Sequence, residues 1–319
     1  MAALIAPLYR SRRVLNGGTN RRAVGLLKKM PILVLSTSPP GTMFLRRRVA
    51  FRAGHAYWFA DKSEAENRTL FGRWASPWGH GHNYVVEVWV AGDVDPSTGM
   101  VVNLVDVDRV LKGVVGPLSD RHLTYEVPHF RDHPPTLENI ARFLAREFEG
   151  AYSGYPGHLA RLSLWESPTL GVEWLGTEVD EMLFTRRLDF AAAHRLHAPG
   201  LGDAENEAIF GKCNTPHGHG HNYGVEVTIA GAPDPTTGML VDLSAFDAVL
   251  DREIMDHFDH KHLNYDVEEF RSVNPTSENV TLAIWRRLEG AIPAPARLFR
   301  VVVEETDRNR FEYYGGETA

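Results

Sequence analysis

The chain of 319 residues contains a single cysteine, Cys213, so no intramolecular disulfide framework braces it. A lone thiol fits a reducing compartment, and the expected localisation is cytoplasmic. Long apolar runs are missing too. The best candidate, MPILVL at 30–35, is far shorter than the roughly 18 residues a membrane span needs, so no membrane partner is expected. Acidic residues are absent from positions 1–48, which carry ten Lys and Arg. The remainder therefore holds 24 of the 34 basic residues against all 41 acidic ones. A body that acidic argues against wrapping nucleic acid, whose binding rests on neutralised phosphates. The basic head has the composition of an organelle transit segment. The preferred expectation is a disordered extension, or a start assigned too early, over residues 1–42.

What is present is a duplication. HGHNY occurs at 80–84 and again at 219–223, an offset of 139. MFLRRRVAF (43–51) matches MLFTRRLDF (182–190), and DPSTGMVVNL (95–104) matches DPTTGMLVDL (234–243), at the same offset. PTLENI (135–140) meets PTSENV (275–280) at 140, and LWES (164–167) meets VEET (303–306) back at 139. Similarity begins at Met43, so the chain reads as a tail and two tandem domains, 43–175 and 182–319, joined near 167–181. Two copies are too few for a solenoid, so each must be a domain in its own right.

The second copy illustrates the element pattern. Residues 184–195 read as a strand ending in FAAAH, followed by a Gly-, Pro- and Asn-containing segment. In HGHNYGVEVTIAG, His219, His221, Tyr223, Val225, Val227 and Ile229 share one parity, the mark of a strand with one buried face. APDPTTG is turn chemistry leading to an expected partner strand, MLVDL. Ser244 with Asp247 resembles a capping box, with Phe246, Val249, Leu250 and Ile254 at helical spacing. A second helix is expected from Thr276, and LFRVVV and FEYY are expected strands. The fold class is α+β: two tandem domains of order β-β-α-α-β-β, each an antiparallel four-stranded sheet with two helices on one face.

On a strand, His219 and His221 project from the same face and can grip one metal ion. His194 is the candidate third ligand, because it precedes His219 by 25 residues, as His55 precedes His80. His55, His80 and His82 form the matching set. Three neutral imidazoles with a fourth position open describe a catalytic zinc site. Cys213 lies six residues before His219, where a metal and imidazoles close by would favour the thiolate, the reactive form. Asp259, His260 and His262 cluster in HFDHKHLNYD, where an Asp–His pair can orient and relay a proton.

KCNTPHGHGHNY, FAAAHRLHAP, DHKHLN, PTSENV and EET closely resemble the 6-pyruvoyl-tetrahydropterin synthase family, across 182–314 and more loosely across 43–170. The resemblance implies the tunnelling fold and a ring-like homo-oligomer, here a trimer of tandem chains. It implies Zn2+ on His194, His219 and His221, Cys213 as general base, and Asp259 and His260 as its partners. Glu305 becomes the pterin anchor, since a carboxylate can accept two parallel N–H bonds, with Thr276 and Glu278 near the same pocket. The implied reaction turns 7,8-dihydroneopterin triphosphate, a small-molecule pterin partner, into 6-pyruvoyl-tetrahydropterin and triphosphate. Lys212, Lys261 or Arg195 would offset the acidic body toward this anion. Five residues separate Cys213 from His219, as in the biopterin-type enzyme; the alternative is the queuosine-pathway 6-carboxy-tetrahydropterin synthase. A third reading, of another class, is a zinc-binding non-catalytic homologue. The first copy makes that concrete: Trp74, Ser119 and Asp120 replace Cys213, Asp259 and His260, while His55, His80, His82 and Glu166 are kept. One catalytic half and one silent half are expected.

Overall fold

A computed structural model describes residues 42–176 and 180–316. The expectation of a disordered extension falls, apart from Thr42, outside the described residues. The first repeat opens with β1 (Met43–His55), helix α1 (Glu64–Phe71) and β2 (His80–Gly92). Helix α2 (Leu104–Val115) follows, then a two-residue β3 (Arg121–His122), α3 (Leu137–Tyr152), β4 (His158–Ser167) and β5 (Leu170–Trp174). The second repeat copies the order as β6 (Met182–His194), α4 (Asp203–Phe210), β7 (His219–Gly231), α5 (Leu243–Leu250) and β8 (Lys261–His262). It closes with α6 (Ser277–Leu288), β9 (Arg297–Thr306) and β10 (Asn309–Tyr313).

All ten strands form one sheet, ordered β10-β9-β7-β6-β5-β4-β2-β1-β3, with β8 beside β6. The four long strands of each repeat pair antiparallel, while β3 and β8 add in parallel to the ends of β1 and β6. Antiparallel pairing of β5 with β6, from Leu170 opposite Arg186 to Trp174 opposite Met182, makes the sheet continuous across the repeats. Alternation decides which face is covered. Tyr223, Val225, Val227 and Ile229 of β7 are fully buried against Val280, Ile284 and Leu288 of α6 and Phe246 and Leu250 of α5. Thr276 caps α6 by accepting the Asn279 N–H. No helix among the described residues is long and apolar enough to cross a membrane.

Several local expectations change. MLVDL is not a strand: Leu240 and Val241 are buried, but the Leu240 N–H leaves the sheet to donate to Glu138 Oε1 of the first repeat at 2.8 Å. The cap of α5 is Asp242, accepting from Ser244 and Ala245, and not Ser244. Asp247 is instead gripped by Arg186 and Arg73, which leaves no capping box. Residues 170–174, placed in the connection, are the fourth strand of the first repeat, because Val172 and Trp174 have core to bury. The segments between the first two strands of each repeat, for which no element was expected, contain α1 and α4.

The turn that follows β7 packs across the junction. Thr136 Oγ1 donates to the Gly238 carbonyl at 3.0 Å. Gly238 has φ 74°, and a Cβ there would lie 2.1 Å from Asn139 Nδ2, so both conformation and space demand glycine.

The opposite face of the sheet carries charge. Glu226 of β7, only 8% exposed, takes Arg187 of β6 at 2.8 Å, Arg310 of β10 at 2.8 Å and Arg300 of β9 at 3.6 Å. Burial alone would push its carboxyl up, yet the Arg310 hydrogen bond and the three guanidinium charges prevail and hold it low. One carboxylate thus ties four adjacent strands. Glu226→Ala leaves Arg187 and Arg300 without a carboxylate partner, while Arg310 keeps Glu304 and Glu312, and should lower unfolding stability by about 3 kcal/mol, read from denaturant midpoints. Loss below about 0.5 kcal/mol would mean that solvent, and not Glu226, balances those arginines.

Candidate active site

The strand register brings the histidines together. In the second repeat His194 of β6 lies directly opposite His219 of β7, and His221 lies opposite Ala192, two residues along on the same face. The spacing of 25 residues is thus the path out of β6, through α4 and back to the cross-strand partner. The first repeat repeats this, with His55 opposite His80 and Ala53 opposite His82. Gly218 enables the return: its φ is 69°, and a Cβ would lie 2.4 Å from the His194 carbonyl oxygen.

Each triad offers three ring nitrogens within 4.8 Å of one another. His194 Nδ1 donates to the Pro275 carbonyl at 2.8 Å, which turns its Nε2 lone pair inward, 3.3 Å from His219 Nε2. His55 does the same through the Pro135 carbonyl at 2.7 Å, with Nε2 3.2 Å from His80 Nε2. Two imidazoles bound tetrahedrally at roughly 2.0–2.1 Å from one ion would stand about 3.3 Å apart. His82 Nε2 and His221 Nε2 are buried without a hydrogen-bond partner. Both donor sets therefore fit a divalent metal ion. Burial favours the neutral form of five of these imidazoles, pushing His55 down to about 3 and His82 to about 4, and lowering His80, His194 and His219.

A glutamate faces each triad, and here the repeats diverge. Glu305 Oε1 lies 3.6 Å from His194 Nε2 and 3.8 Å from His221 Nε2. It accepts from Ser277 Oγ at 3.0 Å, while its Oε2 accepts from Asn309 Nδ2 at 2.8 Å. Glu166, 3.8 Å from His82, has Leu137 and Leu170 at those two positions, and its Oε2 is buried without a partner. Burial, with the charge of Glu138, raises its carboxyl to about 7, offset only in part by Arg186. Ser277 and Asn309 were not among the expected site residues. The PTSENV–PTLENI mismatch carried the signal for Ser277; nothing in the motifs flagged Asn309.

Asp259 and His260 meet on the far side of the β6 end. Asp259 Oδ1 accepts the Ala191 N–H at 2.8 Å, its Oδ2 takes His260 Nδ1 at 2.8 Å, and the His260 N–H donates to the Ala191 carbonyl. The Ala191 amide first, then His260, holds the Asp259 carboxyl low. A cavity of about 560 Å³ lies between His260, Lys261, His262 and His221. Cys213 occupies the turn before β7, half-buried, with its carbonyl accepting the Leu196 N–H at 2.9 Å. Among the described residues no hydrogen bond joins Cys213 to Asp259 or His260. Thr276 caps α6 beside the triad, and Glu278 is exposed. Of the three cations suggested for the anion, Arg195 is committed to Asn214, at 3.0 Å from its side-chain oxygen.

In the first repeat Trp74 stands at the Cys213 position under the Arg73 guanidinium, 4.7 Å from the ring centroid. Asp120 keeps the backbone of His260, φ 62° against 56°, but pairs with Arg52. Backbone was retained where side chains were not.

A family model described as 6-pyruvoyl tetrahydropterin synthase matches the chain twice, over residues 44–176 and 184–316. A Homo sapiens protein named 6-pyruvoyl tetrahydrobiopterin synthase is 46% identical over 131 residues, 41% of this chain and 90% of its own. Its Drosophila melanogaster namesake is 44% identical over 131 residues, 41% and 78% respectively. The solved structure of Caenorhabditis elegans 6-pyruvoyl tetrahydropterin synthase covers 43% of this chain and 96% of its own, at 42% identity and a TM-score of 0.41.

The unequal glutamates give a spectroscopic test in chelator-stripped protein. Glu166 should stay protonated until pH reaches about 7, visible as a carboxylic C=O band in infrared titration that Glu166→Gln removes. Leu170→Asn returns a donor and should move that titration down; a band already lost by pH 5 would contradict the desolvation account.

Proposed function

Because the chain belongs to the 6-pyruvoyl tetrahydropterin synthase family, we propose that its second repeat is a zinc-dependent synthase. The reaction converts 7,8-dihydroneopterin triphosphate into 6-pyruvoyl-tetrahydropterin and inorganic triphosphate. The observation that carries this reading is the joining of the His194–His219–His221 triad to a carboxylate, Glu305, whose oxygens are fixed by Ser277 and Asn309. Bound between the three Nε2 atoms, zinc would supply Lewis acidity toward the substrate's side-chain hydroxyls.

The rest falls to the chain's own groups. Glu305, held on both oxygens, accepts the N–H groups of the amino-pyrimidine edge and sets the pterin's orientation. Cys213 takes the C–H proton beside the substrate's side-chain hydroxyl, and redistribution of electrons through the pterin expels the triphosphate. Asp259 aligns His260 through their 2.8 Å hydrogen bond, and the imidazole receives the proton in turn. The first repeat binds metal without turnover: an indole N–H only donates and cannot accept a proton, and Glu166 lacks both donors that orient Glu305.

Five residues between Cys213 and His219, together with relatives named for tetrahydrobiopterin synthesis, favour this product over the 6-carboxy one. Chromatography of the product made from dihydroneopterin triphosphate decides between them. Cys213→Ala should cut kcat by roughly 10²–10⁴ with fold and metal content intact. If Asp259 and His260 serve the same proton, adding His260→Ala to that variant should cost little more. Metal analysis should find two ions per chain. Changing His80 and His82 to Ala should remove one ion and spare turnover, whereas changing His219 and His221 should remove one ion and all turnover. Equal loss of turnover in both variants, each still folded, would sink the division of labour.

A further inference from the structure

We propose that the first repeat carries an anion site of its own, on the sheet face away from the helices, where Arg46, Arg48 and Arg187 grip a diphosphate-type ligand. The second repeat has closed the equivalent space. The site therefore stands or falls independently of whether that repeat turns over pterin.

A few exchanged side chains make the difference. In the second repeat Glu304 of β9 lies opposite Arg310 of β10, and their side chains pair at 2.6 Å. The same two positions in the first repeat hold Trp165 of β4 and Gly171 of β5, again opposite one another. The indole lies over the glycine: a Cβ on Gly171 would fall 2.4 Å from its ring. Reaching across β5, the ring meets Arg187 of β6, whose guanidinium carbon is 4.3 Å from the ring centroid. A second exchange lies alongside. Thr185 and Thr228, hydrogen-bonded at 2.9 Å in the second repeat, correspond to Arg46 and Trp89 in the first.

These exchanges leave positive charge unbalanced. Glu226 of the second repeat collects Arg187, Arg310 and Arg300. Its equivalent, Glu87, has Gly171 where Arg310 would stand. Arg161, equivalent to Arg300, turns away to Glu173 at 3.1 Å and to the Trp89 ring at 4.1 Å. What faces Glu87 is Arg46 at 3.5 Å and Arg48 at 3.9 Å, both more than half exposed. Neither guanidinium makes a hydrogen bond among the described residues. Two forks of five N–H donors each thus share one carboxylate at long range.

The space matches the charge. Arg46, Arg48, Asn83, Glu87, Trp165 and Arg187 line a cavity of about 820 Å³. Its counterpart between Arg187, Glu226, Glu304 and Arg310 holds only about 160 Å³. Glu166 also borders the larger cavity, but its carboxylate is turned toward His82, 3.8 Å away. Arg46 and Arg48 are two residues apart on one strand, about 7 Å by the strand rise, and project from the same face. Planar guanidinium groups bind phosphate oxygens bidentately. Two such forks side by side suit two linked phosphoryl groups better than one, with Arg187 adding charge at the rim. The cavity leaves room beside the indole for an organic group carried on the diphosphate.

Calorimetric titration of the whole chain with inorganic pyrophosphate tests this. Pyrophosphate should bind at least about tenfold tighter than orthophosphate, because only the second phosphoryl group engages the second fork. Changing Arg46 and Arg48 together to Ala, both exposed, should remove one binding event and leave any other phosphate site in the chain untouched. Glu87→Gln should tighten that event several-fold, since it removes the carboxylate competing for the forks. Trp165→Glu with Gly171→Arg copies the second repeat's ion pair into the first and should abolish the event by filling the cavity. A parallel titration with ADP identifies the source of the diphosphate. Tighter binding than pyrophosphate supports an organic group beside the indole, and equal or weaker binding supports the free anion. Pyrophosphate held no better than orthophosphate, or a binding event that survives the Arg46/Arg48 change, would overturn the site.

Discussion

Both candidate sites depend on a single constraint: the antiparallel register that sets the last residue of one strand opposite the first of the next. His194 opposite His219 and His55 opposite His80 follow from that register. A slip of one residue would send every imidazole to the charged face of the sheet. The register is held from both sides. Tyr223, Val225 and Val227 bury on the helical face, and Glu226 fastens Arg187 across the other. The glycine before each HGHNY, Gly79 or Gly218, lets the returning chain pass against the carbonyl of the facing histidine. The helices then finish what the strands begin, because Pro135 and Pro275, just ahead of the helix caps, fix the tautomer of the most buried ligand.

With so much scaffold shared, the chemical difference between repeats reduces to a few side chains. Glu305 and Glu166 stand on equivalent strands facing equivalent triads, yet one is hydrogen-bonded on both oxygens and the other lies between two leucines. The unusual left-handed backbone of Asp120 and His260 survives in both copies, although only the second keeps an imidazole there. Strain of that kind persists when the surrounding structure imposes it. Here the His260 amide bonded to Ala191, and the Asp120 amide bonded to Arg52, impose it in both.

The duplication, the fold class and both triads were legible in the sequence because each is a matter of period and spacing. Parity along HGHNYGVEV places ligands and core residues alike, and an offset of 139 exposes the repeat without any structure. What escaped was decided by tertiary contacts. MLVDL has the composition of a strand, but Leu240 finds its acceptor on the other repeat, and no local pattern encodes that. Asp247 looks like the third residue of a capping box, yet two arginines, from β6 and from the first repeat, claim it. Asn309 supports Glu305 from a neighbouring strand, and only the β9–β10 pairing brings it there. Cys213 and the Asp259–His260 pair, grouped by family resemblance, stand on separate turns with no bond between them inside one chain.

The asymmetry of the repeats extends to the junction between them. Within the chain, the second repeat sets Gly238, Met239 and Leu240 against a first-repeat surface where Trp74 stands at the position equivalent to Cys213. That surface is a joint: the buried Glu138 accepts the Leu240 N–H, and Met239 packs against the Tyr57, Phe71 and Ala75 cluster. The side chains that differ between the repeats lie around these shared elements: Ser119 and Asp120 stand where the second repeat has Asp259 and His260, and Leu137 and Leu170 where it has Ser277 and Asn309. The first repeat thus presents a docking surface to the turn of its own second half while its glutamate lacks the two donors that hold Glu305.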